Sequence, residues 1–160
     1  MFIPEIPNNN LKSQLEELIS IVKKLETTTT DLRVKFKFNP PASEEEILNF
    51  ENVFNISLPV GYKEFLLFSN GAQLCGHTAE FDDINSIVNL NQAEISPDFP
   101  EDYVVIADII GDGELLCFSK TSKKFIRYFD GDETIFDNFY DVFKIIIKRI
   151  KSKAADYIDF

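Results

Sequence analysis

The side chains of this 160-residue chain that could do chemistry are one histidine, His77, and several groups of aspartate and glutamate. A Ser–His–Asp triad needs a histidine as its base, so His77 is the only place to build one. It follows Gly76, has no nucleophile motif beside it, and has Glu80, Asp82 and Asp83 as its nearest acids. A solvated loop histidine accounts for that pattern without catalysis. Asp82-Asp83 and Asp108-x-x-x-Asp112-x-Glu114 offer the carboxylate oxygens that suit magnesium or calcium. Neither has the every-second-residue spacing of an EF-hand loop, and Asp130-Gly131-Asp132-Glu133 is equally incomplete. Turn chemistry explains the glycine–aspartate clusters, because both residue types tolerate left-handed backbone. Gly111-Asp112-Gly113 has no phosphate-loop companion and reads as a tight turn. No metal or cofactor is expected. The enzyme class left open is an acid-dependent metal hydrolase on Asp108, Asp112 and Glu114.

Cys75 and Cys117 are the only cysteines and lack metal-binding spacing. Apolar neighbours suggest two buried thiols in a reducing cytosol, with a disulfide as the alternative. The opening residues Met1 to Pro7 lack the basic and apolar regions of a secretory signal. No stretch approaches the roughly 20 apolar residues that span a bilayer. A cytoplasmic protein is expected.

Charge is distributed unevenly. From Glu44 to Glu114 there are fifteen acidic residues and one basic residue, Lys63. Through Pro41 there are six Lys/Arg against five Asp/Glu, and after Glu114 nine against seven. The net charge of −11 therefore arises in the middle of the chain. Nucleic acid and anionic membranes would be repelled by that segment, and a cationic partner attracted.

The elements that must position these residues follow from periodicity. Leu11, Leu15, Leu18, Ile19, Val22 and Leu25 form the apolar side of a helix, capped by one of Asn8 to Asn10 and ended by Thr27 to Thr30. Leu32, Val34, Phe36 and Phe38 alternate with Arg33, Lys35 and Lys37, the pattern of a half-buried strand at a sheet edge. Ser43 with Glu46 makes a capping box for a helix that buries Ile47, Phe50, Val53 and Phe54 and stops at Asn55. A third helix starts at Leu58-Pro59, carries Tyr62, Phe65, Leu66 and Phe68, and ends at Asn70-Gly71. Strands follow over 73–76, 80–84, 103–107, 114–119 and 125–129, with a helical turn over 85–90 and a loop through 96–100. Asp130-Gly131-Asp132 is a turn. Phe139, Val142, Phe143, Ile146, Ile147 and Ile150 give a terminal helix. Such segregated blocks imply an α+β fold: a mostly antiparallel sheet with helices packed on one face, in one domain over 1–160.

Pro41-Ala42-Ser43-Glu44-Glu45-Glu46-Ile47, Phe50-Glu51 and Leu58-Pro59-x-x-Tyr62-x-x-Phe65-Leu66, closing on Asn70-Gly71, resemble the SUKH superfamily. This group includes SMI/KNR-type cell-wall regulator domains of fungi and bacterial toxin-immunity proteins. Gly111-Asp112-Gly113-Glu114-Leu115-Leu116-Cys117-Phe118 looks like its glycine-rich turn into a core strand. Asn138-Phe139-Tyr140-Asp141-Val142-Phe143 looks like its closing element. The resemblance covers about residues 43–150 and departs in the absence of tryptophan, for which Phe68 and Phe136 stand in.

The resemblance implies a non-catalytic domain, in bacteria an immunity protein that binds and neutralises a cognate polymorphic toxin. The charge map adds that the toxin would be basic, as a nuclease is where it holds phosphates. Binding residues concentrate in loops and strand ends, which selects His77, Glu80, Asp82, Asp83, Asp108, Asp112 and Glu114 as the partner-binding set. Leu58, Pro59, Tyr62 and Gly71 carry the family pattern as structural residues. The runner-up function is a regulatory scaffold domain with a non-toxin partner.

Overall fold

In a computed structural model that describes residues 1–92, 98–109 and 112–160, the apolar spacing of residues 11–25 becomes helix α1 (Lys12–Thr28). All six of its expected core residues are buried. The expected asparagine cap is not formed: Leu11 is the N-cap and no side chain caps α1, while Asn9 Oδ1 accepts from the Leu11 amide at 3.0 Å just ahead of the helix. The terminal helix α5 (Phe139–Ala154) likewise buries every residue its periodicity selects, and it packs along α1.

The edge strand is shorter than its alternation predicts. Asp31 accepts from the Arg33 amide at 2.9 Å and turns residues 32–34 into a 3-10 helix. A local side-chain acceptor has outcompeted the sheet there. Leu32 is consequently exposed, while Val34, Phe36 and Phe38 remain in the core. Strand β1 is left with Lys37–Phe38.

Helix α2 (Glu44–Phe54) has the capping box of Ser43 and Glu46 and a left-handed stop at Asn55 (φ 50°). Its buried side is narrower than expected. Ile47 and Phe50 are inside, but Val53 and Phe54 are 65% and 42% exposed. Helix α3 (Val60–Leu66) begins one residue after Pro59, which serves as its N-cap. Gly61 lets α3 approach α5 closely, because a Cβ there would lie 2.8 Å from that of Phe139. Gly71 (φ +91°) ends the turn after α3 in the left-handed conformation that favours glycine.

The described residues form one seven-stranded antiparallel sheet with its strands in sequence order. After β1 these are β2 (Ala72–Leu74), β3 (Ala79–Phe81), β4 (Tyr103–Ile109), β5 (Glu114–Ser119), β6 (Phe125–Phe129) and β7 (Asp132–Phe136). Helix α4 (Ser86–Gln92) connects β3 to β4. β2 stops at Leu74 because Cys75 (φ 52°) and Gly76 (φ 65°) begin a left-handed turn. β7 was not expected. Asp130 and Gly131, both at positive φ, form the two-residue turn of a hairpin. The strand beyond it is exposed at four of five positions, so no apolar alternation announces it.

The inner face of the sheet carries Phe38, Ala72, Leu74, Ala79, Phe81, Ala107, Ile109, Leu116, Phe118 and Phe125, packed with residues of α1, α2, α3 and α5. Phe65 and Phe139 are hubs of this core, with ring centroids 5.7 Å apart. This is the α+β arrangement the sequence implies. Among the described residues no helix is long and apolar enough to cross a membrane.

Candidate functional site

Strand register decides which acidic residues meet. Pairing places Lys37, Gln73, Glu80 and Asp108 side by side across β1 to β4. Side chains alternate along a strand, so this row lies on the face opposite the core. Asp82 follows Glu80 at an interval of two and joins it in a shallow depression with Lys37, Asn39 and Gln73. His77, in the exposed β2–β3 turn, reaches back so that its Nδ1 lies 2.6 Å from Glu80 Oε1. Gln73 Nε2 donates to the same oxygen at 3.3 Å.

The electrostatics of Asp82 report the crowding. Burial raises its carboxyl above the ordinary range, and the charges of Asp83, Glu80 and Asp108 raise it further. Removing water and adding like charge both disfavour the ionised form. A docked cation would relieve both. His77, Glu80, Asp82 and Asp108 therefore form one negatively biased patch on the outer sheet face, with Lys37 at its margin.

The other three predicted residues have different placements. Asp83 caps α4: its Oδ1 accepts from the amides of Asn85 at 3.0 Å and Ser86 at 3.1 Å, and the Ser86 hydroxyl donates to Oδ2. Burial raises its carboxyl, but the Ser86 and Asn85 hydrogen bonds outweigh that and hold it below the usual range. Asp112 is exposed in the turn before β5, and its neighbour Gly111 lies outside the described residues, as do residues 96 and 97 of the expected loop. Glu114 pairs with Ile109 rather than Asp108 and so faces inward. There it meets Arg127 Nε at 3.1 Å and Arg149 Nη1 at 3.3 Å. Its charge is neutralised inside the fold, and it does not contribute to the outer patch.

This register also separates the triplet that could have served a metal hydrolase, since Asp108 and Glu114 point to opposite faces. Among the described residues no three His, Cys, Asp or Glu side chains are placed to hold a metal ion. The cysteines are both free and buried. Cys117 lies in the outer row of β5 with Val105 and Ile126, and burial, with the charge of Glu133, pushes its thiol up to about 12. Burial also raises Cys75, against the opposing pull of Lys153. Neither thiol is activated.

Two polar positions escaped sequence reasoning. Glu64 is buried on α3 and accepts from the Leu11 amide at 3.0 Å, Asn10 Nδ2 at 3.1 Å and the Tyr140 hydroxyl at 2.8 Å. It joins α3, α5 and the start of α1, where the helix dipole favours a negative charge. Only its position among buried residues of α3 hinted at this. Asn91 uses its side-chain amide to bond both the amide and the carbonyl of Val105, at 2.8 and 2.9 Å. It satisfies the edge of β4 where β3 has ended, beside the register shift between Val105 and Ala107.

Comparison with known proteins agrees with this architecture. Residues 41–145 match the SMI1 / KNR4 family (SUKH-1). A stretch of 93 residues, 58% of the chain, is 34% identical to "Uncharacterized protein YnaB" of Bacillus subtilis (strain 168). The match spans 61% of that relative's length.

Proposed function

The chain belongs to the SMI1 / KNR4 family (SUKH-1), and from that membership we propose that it is an immunity protein that neutralises a cationic, nuclease-type toxin by docking on it. The docking surface is the outer sheet face bearing Glu80, Asp82 and Asp108, with His77 beside it. Asp112 extends this surface at the β4–β5 turn, Asp83 backs it by fixing the start of α4, and Glu114 lies outside it. The observation that carries the proposal is the crowding of like charge where Glu80, Asp82 and Asp108 meet on the outer sheet face. Such a face is unfavourable alone and becomes favourable against lysines and arginines. A nuclease presents those cations where it binds phosphates, so the patch would occupy the substrate's own site. No catalysis by this chain is required, and it acts in the cytoplasm before the toxin finds its target.

Co-purification with the product of the adjacent gene, followed by calorimetry at low and high salt, tests this. A complex should form rapidly and weaken by about tenfold or more as salt screens the charges. Affinity indifferent to salt, or unaltered in Glu80→Gln/Asp82→Asn, would rule out this face as the docking surface.

A further inference from the structure

Next to the acidic patch lies a small groove that the docking proposal does not use. It is lined by Glu46, Asn49, Phe50, Val53 and Phe54 of α2 and by the segment Ile84-Asn85. The two phenyl rings lie 4.9 Å apart. Val53 is 65% exposed and Phe54 42% exposed, although their spacing would suit a core. The free volume is about 120 Å³. Pockets for small molecules run to roughly 300–1,000 Å³, so this groove suits one apolar side chain rather than a free ligand.

Groove and patch share a piece of backbone. Asp82 lines the depression on the sheet face, and Ile84 and Asn85 line the groove. Asn70 Oδ1 accepts from the Ile84 amide at 2.8 Å and fixes that segment between them. The surrounding charge selects the occupant. Residues 39–55 and 70–91 hold seven acidic residues and no lysine or arginine; Lys63 neutralises Glu51 and Lys37 borders Glu80, which leaves a net negative surround. At a net charge of −11, a second copy would meet repulsion here. We infer that the α2 groove takes an apolar anchor residue of a cationic protein partner, whose neighbouring lysines or arginines reach Glu46 on one side and Asp82 and Glu80 on the other. Interfaces concentrate their affinity in such a central apolar anchor within a charged rim. The inference rests on the docking proposal and adds an apolar contact at the end of β3, where the chain passes from Asp82 to the Ile84-Asn85 segment.

The test uses a short synthetic peptide with one phenylalanine between runs of lysine, and a control with serine in its place. Amide chemical shifts of the ¹⁵N-labelled full chain are followed during titration with each. The expected result is that both peptides shift Glu80 and Asp82, while only the phenylalanine peptide shifts Phe50, Val53, Phe54 and Asn85. Val53→Gln, at an exposed position, should reduce the phenylalanine peptide's affinity by about tenfold, to that of the serine control. Shifts confined to the acidic face with both peptides would overturn the groove and leave the docking face standing. Shifts in neither region would overturn both. Sedimentation showing a dimer that Val53→Gln makes monomeric would assign the groove to a second copy and overturn the cationic partner.

Discussion

Glu80 on β3 lies directly opposite Asp108 on β4. Two carboxylates thus occupy a cross-strand position where opposite charges would stabilise the sheet. Like-charge pairing of this kind costs on the order of 0.2–1 kcal/mol. The cost is borne on an outer face, where packing does not require acids, which is what an interaction surface would look like.

Glu80→Gln should therefore raise stability, by up to about 1 kcal/mol, while weakening association with a cationic partner. Urea unfolding and calorimetry measure the two effects on the same protein. A loss of stability would show that the contacts of Glu80 with His77 and Gln73 outweigh the repulsion.

Asp82 makes the same argument through pH. Its carboxyl is raised above the ordinary value of 3.8, by burial first and then by Asp83, Glu80 and Asp108. The native state binds that proton more tightly than the unfolded chain, so the contribution favours folding in acid. It is lost as pH rises from about 3.8 through the raised value. Asp82→Asn should be more stable than the parent at neutral pH, with the difference shrinking as pH falls through the raised value and largely gone below about pH 4. Urea midpoints at the two pH values decide it, and a difference independent of pH would contradict the assignment.

Glu114 should behave in the opposite way. Its carboxylate balances Arg127 and Arg149 on the inner side of the sheet. Glu114→Gln removes the counter-charge of two arginines that are themselves partly exposed, and should destabilise the fold by about 1–2 kcal/mol. Salt-dependent binding by the folded variant should match the parent's. A stable variant with impaired binding would return Glu114 to the docking surface.

Removal of the Glu64 side chain tests the junction of three helices. In Glu64→Ala the Leu11 amide, the Tyr140 hydroxyl and Asn10 lose an acceptor, at a cost of about 3 kcal/mol. Thermal unfolding followed by circular dichroism reads that loss, and a change within error would refute the role.

Tyr62 offers a stabilising counterpart. Its hydroxyl is buried with no hydrogen-bond partner among the described residues, and burial drives its ionisation far upward. The ring packs against Phe139 at 5.9 Å and Phe118 at 6.5 Å. Tyr62→Phe keeps those contacts and removes an unsatisfied polar atom, so it should gain about 1 kcal/mol in urea unfolding. Destabilisation would reveal a partner for the hydroxyl in solution.

Long periodic segments were legible in advance because burial of one helix face selects apolar residues at fixed intervals. The terminal helices, the Ser43 capping box and strands β5 and β6 follow from local rules of that kind. Leu32, Val53, Phe54 and β7 did not. The first was turned out by the Asp31 side chain, and the next two lie beyond the edge of the available core. The last is an edge strand that gains its order from β6 rather than from an apolar pattern of its own.

That acidic residues crowd the middle of the chain, that strands follow helices, and that the α2–α3 region resembles a known superfamily can all be read along the chain. Those properties depend on composition and near neighbours. It takes the folded sheet to show that Glu80, Asp82 and Asp108 share a face while Glu114, six residues after Asp108, points into the fold. Strand register and the side-chain alternation it imposes fix which carboxylates meet, and that register is set by pairing between segments far apart in the chain.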